Sequence, residues 1–139
     1  MLMYVQTPGS PEYVRRIPRV TQQSPRNARL WAHTLLESLG VDPDTVDLAV
    51  SELVTNVARY AAGPAQIAIA VTAAAVEVSC TDKHPETAGA VRPSDAPDFD
   101  AATGRGLFIL TLIATDGVHV EPLAGRKRVR VILPIGDPS

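Results

Sequence analysis

One cysteine, Cys80, stands in a chain of 139 residues. That excludes an internal disulfide and any zinc site built from several thiolates. Aromatic residues make up only 4% of the total, so Ala, Val, Leu and Ile must do the filling that rings do elsewhere. No apolar run approaches the ~20 residues that a helical membrane span requires. An excess of positive charge is missing too: thirteen Lys plus Arg face fifteen Asp plus Glu, for a formal charge of −2. Such a balance supplies no global field to hold a nucleic acid or an anionic membrane. The opening residues Met1-Leu2-Met3-Tyr4-Val5 carry neither the charged nor the long apolar region of a secretory signal, so a cytoplasmic location is expected. What is present is an ordinary globular balance, 45% hydrophobic and 20% charged. The length suits one domain of roughly 100–150 residues.

The chain reads as a single domain over 11–135. The stretches 1–10 and 136–139 carry Gly, Pro and Ser with little periodicity and are expected to fray. Glu12 to Ile17 alternates and stops at Pro18, an edge strand. Ser24-Pro25 gives a hydroxyl N-cap with proline at the first helical position. Leu30, Trp31, Thr34, Leu35 and Leu39 then recur at helical spacing up to Gly40, with Trp31 as the core anchor and Arg26 and Arg29 on the wet face. Asp42-Pro43 repeats the start signal. A second helix over about 43–62 follows, with Val46, Ala49, Val50, Leu53, Val54, Val57 and Ala61 as its apolar stripe.

Ala65–Thr72 and Ala75–Thr81 alternate at period two and predict a hairpin across Ala73-Ala74, a turn without the usual Gly or Asn. From Pro85 to Thr103 nothing periodic survives; a loop of that length in a compact domain is a lid candidate. Gly106 to Ala114 is apolar and predicts a short buried helix ending near Asp116-Gly117. Strands Val118–Glu121 and Arg128–Leu133 close the chain. The order predicts an α+β fold: a two-layer α/β sandwich, with a mixed, mostly antiparallel sheet and three helices on one face.

Three polar features interrupt these apolar elements. Glu52 and Asn56 lie four apart on the second helix, so they share a face one turn apart. An Asn amide oxygen is a hard, neutral ligand suited to Mg²⁺, which is completed by water and substrate phosphates. A carboxylate one turn earlier can take the proton of a hydroxyl attacking a γ-phosphate. A solvated Glu and an Asn tolerated in mid-helix is the plainer alternative. Asp82 follows the strand ending in Cys80-Thr81, where a carboxylate can accept from an exocyclic amine or form an Asx turn. Gly104-Arg105-Gly106 sits where lid meets helix; glycines there let backbone N–H groups approach phosphate, or merely hinge the loop.

The order of these parts resembles the GHKL (Bergerat-fold) ATPase superfamily, and within it the anti-sigma factor serine/threonine kinases in the short stand-alone form abundant in actinobacteria. The block Ala49-Val50-Ser51-Glu52-Leu53-Val54-Thr55-Asn56-Val57-Ala58-Arg59-Tyr60-Ala61 is similar to that family's N-box nearly position for position. Asp82-Lys83-His84-Pro85 stands where the adenine-recognition box falls, and Gly104-Arg105-Gly106-Leu107 resembles the second glycine box. The resemblance implies ATP and Mg²⁺ as cofactors, with Asn56 on the metal, Glu52 as general base and Asp82 on the adenine amine. Gly104, Arg105, Gly106 and Leu107 fall in the phosphate-contacting box. It also implies a sigma factor held inactive, a STAS-domain antagonist phosphorylated on Ser or Thr, and homodimers paired through their sheets. The chain departs from the pattern at Tyr60, where His is usual, at Arg130, where an aromatic is common, and after Asp82, where Lys83-His84-Pro85-Glu86 lacks glycine. The last departure motivates a second reading, a catalytically silent GHKL-fold module that acts through protein contact alone.

The remaining candidates read as ordinary structure. His33, His84 and His119 lack ligand spacing. Cys80 alternates with Val76 and Val78 and reads as core filling. Arg126-Lys127-Arg128 with Arg130 reads as a solvated basic edge, and Arg59 and Arg105 as solvated arginines near the site mouth.

Overall fold

Period-two and period-3.6 patterns alternate along the chain, and the elements follow them. The computed structural model describes residues 11–60, 63–83, 89–91 and 114–135. Within these lie β1 (Glu12–Ile17), α1 (Ser24–Ser38), α2 (Asp44–Tyr60), β2 (Ala65–Val71), β3 (Ala75–Asp82), β4 (Gly89–Val91), β5 (Thr115–Leu123) and β6 (Arg126–Pro134). The strands form one six-stranded sheet in the order β1-β2-β3-β6-β5-β4. α2 packs on β2, β3 and β6, and α1 packs on α2. The fold is thus the expected α+β sandwich. Every strand pairing among the described residues is antiparallel, in line with the mostly antiparallel sheet that was expected. The third helix expected over 106–114 lies outside the described residues, up to Ala114.

α2 matches its predicted stripe. Val46, Ala49, Val50, Leu53, Val54 and Val57 are all buried. Its start is capped as expected, with the Asp44 N–H donating to Asp42 Oδ1 at 3.0 Å and the Asp47 N–H to the Pro43 carbonyl at 2.7 Å. α1 differs in two respects. Ser24 is its first residue and not its cap; the Ser24 hydroxyl instead accepts from the Thr21 N–H at 2.8 Å. The buried face of α1 is Ser24, Ala28, Ala32 and Leu36. Leu30 is 53% exposed, Leu39 is 40% exposed, and Trp31 packs at the margin of the core instead of anchoring it. Leu30, Trp31, Thr34 and Leu35 line a surface groove with Arg15 of β1. The stripe expected for α1 is therefore rotated away from the core. Arg26 and Arg29 are exposed, as their spacing requires.

Gly40 stops α1 in the way its sequence implies. At φ +73 it takes the left-handed conformation, its N–H donates to Glu37 O at 3.1 Å, and Val41 N–H donates to Leu36 O at 2.9 Å. Those two bonds are a Schellman motif.

The β2–β3 turn, which lacks Gly and Asn, is closed by Thr72. Its Oγ1 accepts from the N–H groups of Ala74 (3.3 Å) and Ala75 (3.1 Å), and its backbone N–H donates to Ala75 O at 2.9 Å. A side-chain hydroxyl thus replaces the special backbone conformation usually demanded there. The last hairpin turns through Ala124-Gly125, with Gly125 at φ +67.

Two predicted boundaries change. Asp116-Gly117, expected to follow a helix end, lies inside β5, where the register shifts between Thr115 and Val118 and Gly117 has φ +77. Two extra residues, Asp116 and Gly117, stand here between the partners of the adjacent Ile132 and Val131, an irregular bulge whose positive φ glycine accepts most cheaply. The stretch expected to lack structure from Pro85 to Thr103 contributes β4, which pairs with Val118–Val120 of β5. Three residues are too few to show a period.

Candidate functional site

Two elements present the polar residues singled out in the sequence. On α2, Glu52 and Asn56 stand one turn apart, both half-buried, beside the fully buried Leu53 and Val57. Their neighbours fix the helix against the sheet, so the pair is carried by a rigid element. On the next face of α2, Thr55 and Ala58 line a cavity of about 470 Å³ with Gln22, Pro25, Arg26 and Arg29.

Asp82 closes β3 between Ala65 of β2 and Lys127 of β6. Strand alternation sends Val76, Val78, Cys80 and Asp82 to the helix side, and all four are buried. Asp82 is 2% exposed. A buried carboxylate needs compensation, and Lys127 supplies charge: its Nζ lies 3.8 Å from Asp82 Oδ2, with both side chains almost fully buried. Cys80, two residues back on the same face, has its thiol pushed up to about 12, first by burial and then by the Asp82 charge, with Lys127 opposing. Such a thiol is core filling and not a nucleophile. A cavity of about 430 Å³ opens at this end of the sheet, lined by Asp82 with Arg16, Pro64, Gln66, Lys83 and Arg126; neither Glu52 nor Asn56 lines it.

Lys127 departs furthest from the solvated basic edge that its sequence context predicts. The basic cluster is split by the pleat of β6. Lys127, Val129, Val131 and Leu133 face the core, while Arg128 and Arg130 face the other way. There, Arg128 Nη2 meets Glu121 Oε2 at 3.3 Å. Arg130 reaches Glu121 Oε1 through Nε at 3.3 Å and Glu77 Oε1 through Nη1 at 3.5 Å. On that face burial holds Glu12 above the usual carboxylate range, helped by Glu77 and opposed by Arg128. Only Arg126 is the solvated residue that was expected. The signal was available: Lys127 shares the parity of three apolar residues.

Gly104, Arg105, Gly106 and Leu107 lie outside the described residues. His33 sits half-exposed on α1, with Nδ1 at 2.9 Å from Asp47 Oδ2 and Nε2 at 3.4 Å from Glu37 Oε2. Among the described residues, no helix is long and apolar enough to cross a membrane.

No curated protein matches the chain. A family model, the histidine kinase-like ATPase domain, matches residues 7–133, a span that runs from before β1 into β6. It takes in the α2 pair, the buried Asp82–Lys127 end of the sheet and the segment Gly104-Arg105-Gly106-Leu107. With the match covering nearly the whole length and the fold an α+β sandwich, the chain belongs to the histidine kinase-like ATPase domain family.

Proposed function

We propose that this ATP-binding domain is a regulatory switch of the anti-sigma kinase kind, which sequesters a sigma factor and phosphorylates a Ser or Thr of a STAS-domain antagonist. ATP binding goes with family membership. The observation that carries the kinase reading is the Glu52–Asn56 pair, a carboxylate and a neutral amide one turn apart on a rigid, half-buried face. The donor set suits Mg·ATP: a neutral oxygen donor at Asn56 for a hard cation, and a buried acceptor at Asp82 for an amine. Bound Mg·ATP supplies the transferable phosphoryl group. In this reading Asn56 holds Mg²⁺, and Glu52 takes the proton of the attacking hydroxyl, an effect typically worth about 10²–10⁴ in rate. Asp82 accepts from the adenine amine. Gly104, Arg105, Gly106 and Leu107 form the phosphate-contacting box. A cytoplasmic location and a homodimer paired through the sheets complete the reading.

Calorimetric titration of ATP, with and without Mg²⁺, tests the site. Micromolar binding is expected, about −6 to −8 kcal/mol. Asp82→Ala should abolish it, and Asn56→Ala should uncouple it from Mg²⁺. Glu52→Gln should then stop transfer to a purified antagonist while sparing ATP binding; undiminished transfer would remove Glu52 from the role of base. The second reading, a catalytically silent binding module, draws on the glycine-free Lys83-His84-Pro85-Glu86 after Asp82. It requires partner affinity to ignore both ATP and Asn56→Ala.

A further inference from the structure

Lysine is almost never fully buried unless it is paired, yet Lys127 is 4% exposed at the strand end where Asp82 sits. Its pairing is incomplete as a hydrogen bond. At 3.8 Å from Asp82 Oδ2 the ammonium meets the carboxylate as a charge, beyond the 2.7–3.2 Å range of N–H···O bonds. An ammonium carries three donors and no acceptor, and a carboxylate is acceptor-only. The two residues are direct partners in the β3–β6 ladder, and alternation sends both to the helix side of the sheet. That end of the sheet thus holds a donor immediately beside an acceptor.

The Watson–Crick edge of adenine carries the complementary order, an N6 amine that donates next to an N1 that accepts. We propose that Lys127 is a base-recognition residue: its ammonium donates to adenine N1 while Asp82 accepts from N6. This inference rests on the assignment of Asp82 to the adenine amine. It adds a direct contact to that assignment and gives a reason for keeping a cation in the core. A ring with a carbonyl at position 6 and a proton on N1 presents donor and acceptor in reversed order, and would have to shift to meet the same two groups.

The test is a cycle in ligand and protein. ATP and 1-deaza-ATP, in which N1 is replaced by C–H, are titrated calorimetrically into wild type and Lys127→Met, with the fold of the variant checked by thermal denaturation. Wild type should bind 1-deaza-ATP at least about tenfold more weakly than ATP, the loss expected for a hydrogen bond to a charged donor. Lys127→Met should bind the two ligands equally. If Lys127→Met does not fold, Lys127→Arg keeps the charge and should keep the discrimination, reduced because the planar fork meets a single acceptor less well.

Equal affinity of wild type for the two ligands overturns the inference, as does the same discrimination in Lys127→Met or a tighter grip on ATP once the lysine is gone. ATP binding that survives Asp82→Ala overturns the underlying assignment instead. No ATP binding by wild type at millimolar concentration overturns both.

Discussion

Helices α1 and α2 are neighbours, yet they bury themselves by different means. α2 lies between α1 and the sheet and buries large side chains, with Val46, Val50, Leu53 and Val54 at 2% exposure or less. α1 packs on α2 and does so with Ala28, Ala32 and Leu36, all at 0%, while Leu30 and the C-cap Leu39 stay exposed. The distance between two helix axes depends on the side chains at the contact, and small residues permit the closest approach. On α1 the two alanines at the seam with α2 are buried while the more hydrophobic Leu30 is not, so hydrophobicity alone does not decide which residues of α1 are buried.

This contrast can be broken at several points. Leu53→Ala should be the costliest change, about 2–5 kcal/mol, because α2 is packed on both sides and the cavity cannot collapse; chemical denaturation measures it. Ala32→Leu should cost about 1–3 kcal/mol by overfilling the seam between the helices. A neutral Ala32→Leu would mean that the seam has room, and that size does not select the buried face of α1. Leu30→Ser should change stability by no more than about 0.5 kcal/mol, although it replaces the larger hydrophobe of the two.

The smallest effect concerns the polar rim of the same seam. The hydrogen bond to Asp47 raises the pKa of His33 above its ordinary value of 6.5, with the Asp47 and Glu37 charges adding to it and desolvation opposing. Stabilisation from this pair is therefore complete below about pH 6.5 and is lost as pH rises through the raised folded value. The stabilities of wild type and His33→Gln should converge as pH is raised above about 6.5; a constant gap would detach His33 from that pH dependence.

The same contrast marks what the sequence could show. α2 was legible because branched apolar residues sit at every described buried position but Ala49, and Glu52 and Asn56 interrupt them visibly. The β2–β3 hairpin was legible from alternation, and Asp82 from its place at the end of β3. The buried face of α1 was not, because alanine is too weakly hydrophobic to outvote Leu30, Trp31 and Leu35 in a periodicity count. β4 escaped because three residues show no period, and the bulge at Gly117 because a glycine there also reads as a helix stop. Lys127 is hidden for a different reason: a run of like charges reads as one surface, although a strand sends adjacent residues to opposite faces.

The sheet order carries a consequence for how the chain reaches its native form. β6 is the last strand in sequence, yet it lies in the interior of the sheet, joining β1-β2-β3 on one side to β5-β4 on the other. Its partner β3 ends at Asp82 and β6 begins at Arg126, so a long loop must close before this pairing returns any energy. On a ribosome that makes chain from the N-terminus onward, both flanks of the sheet are synthesised while the strand that unites them is still to come. Until then each flank presents an open edge of the kind that pairs readily with other chains, and the arrival of β6 seals both at once.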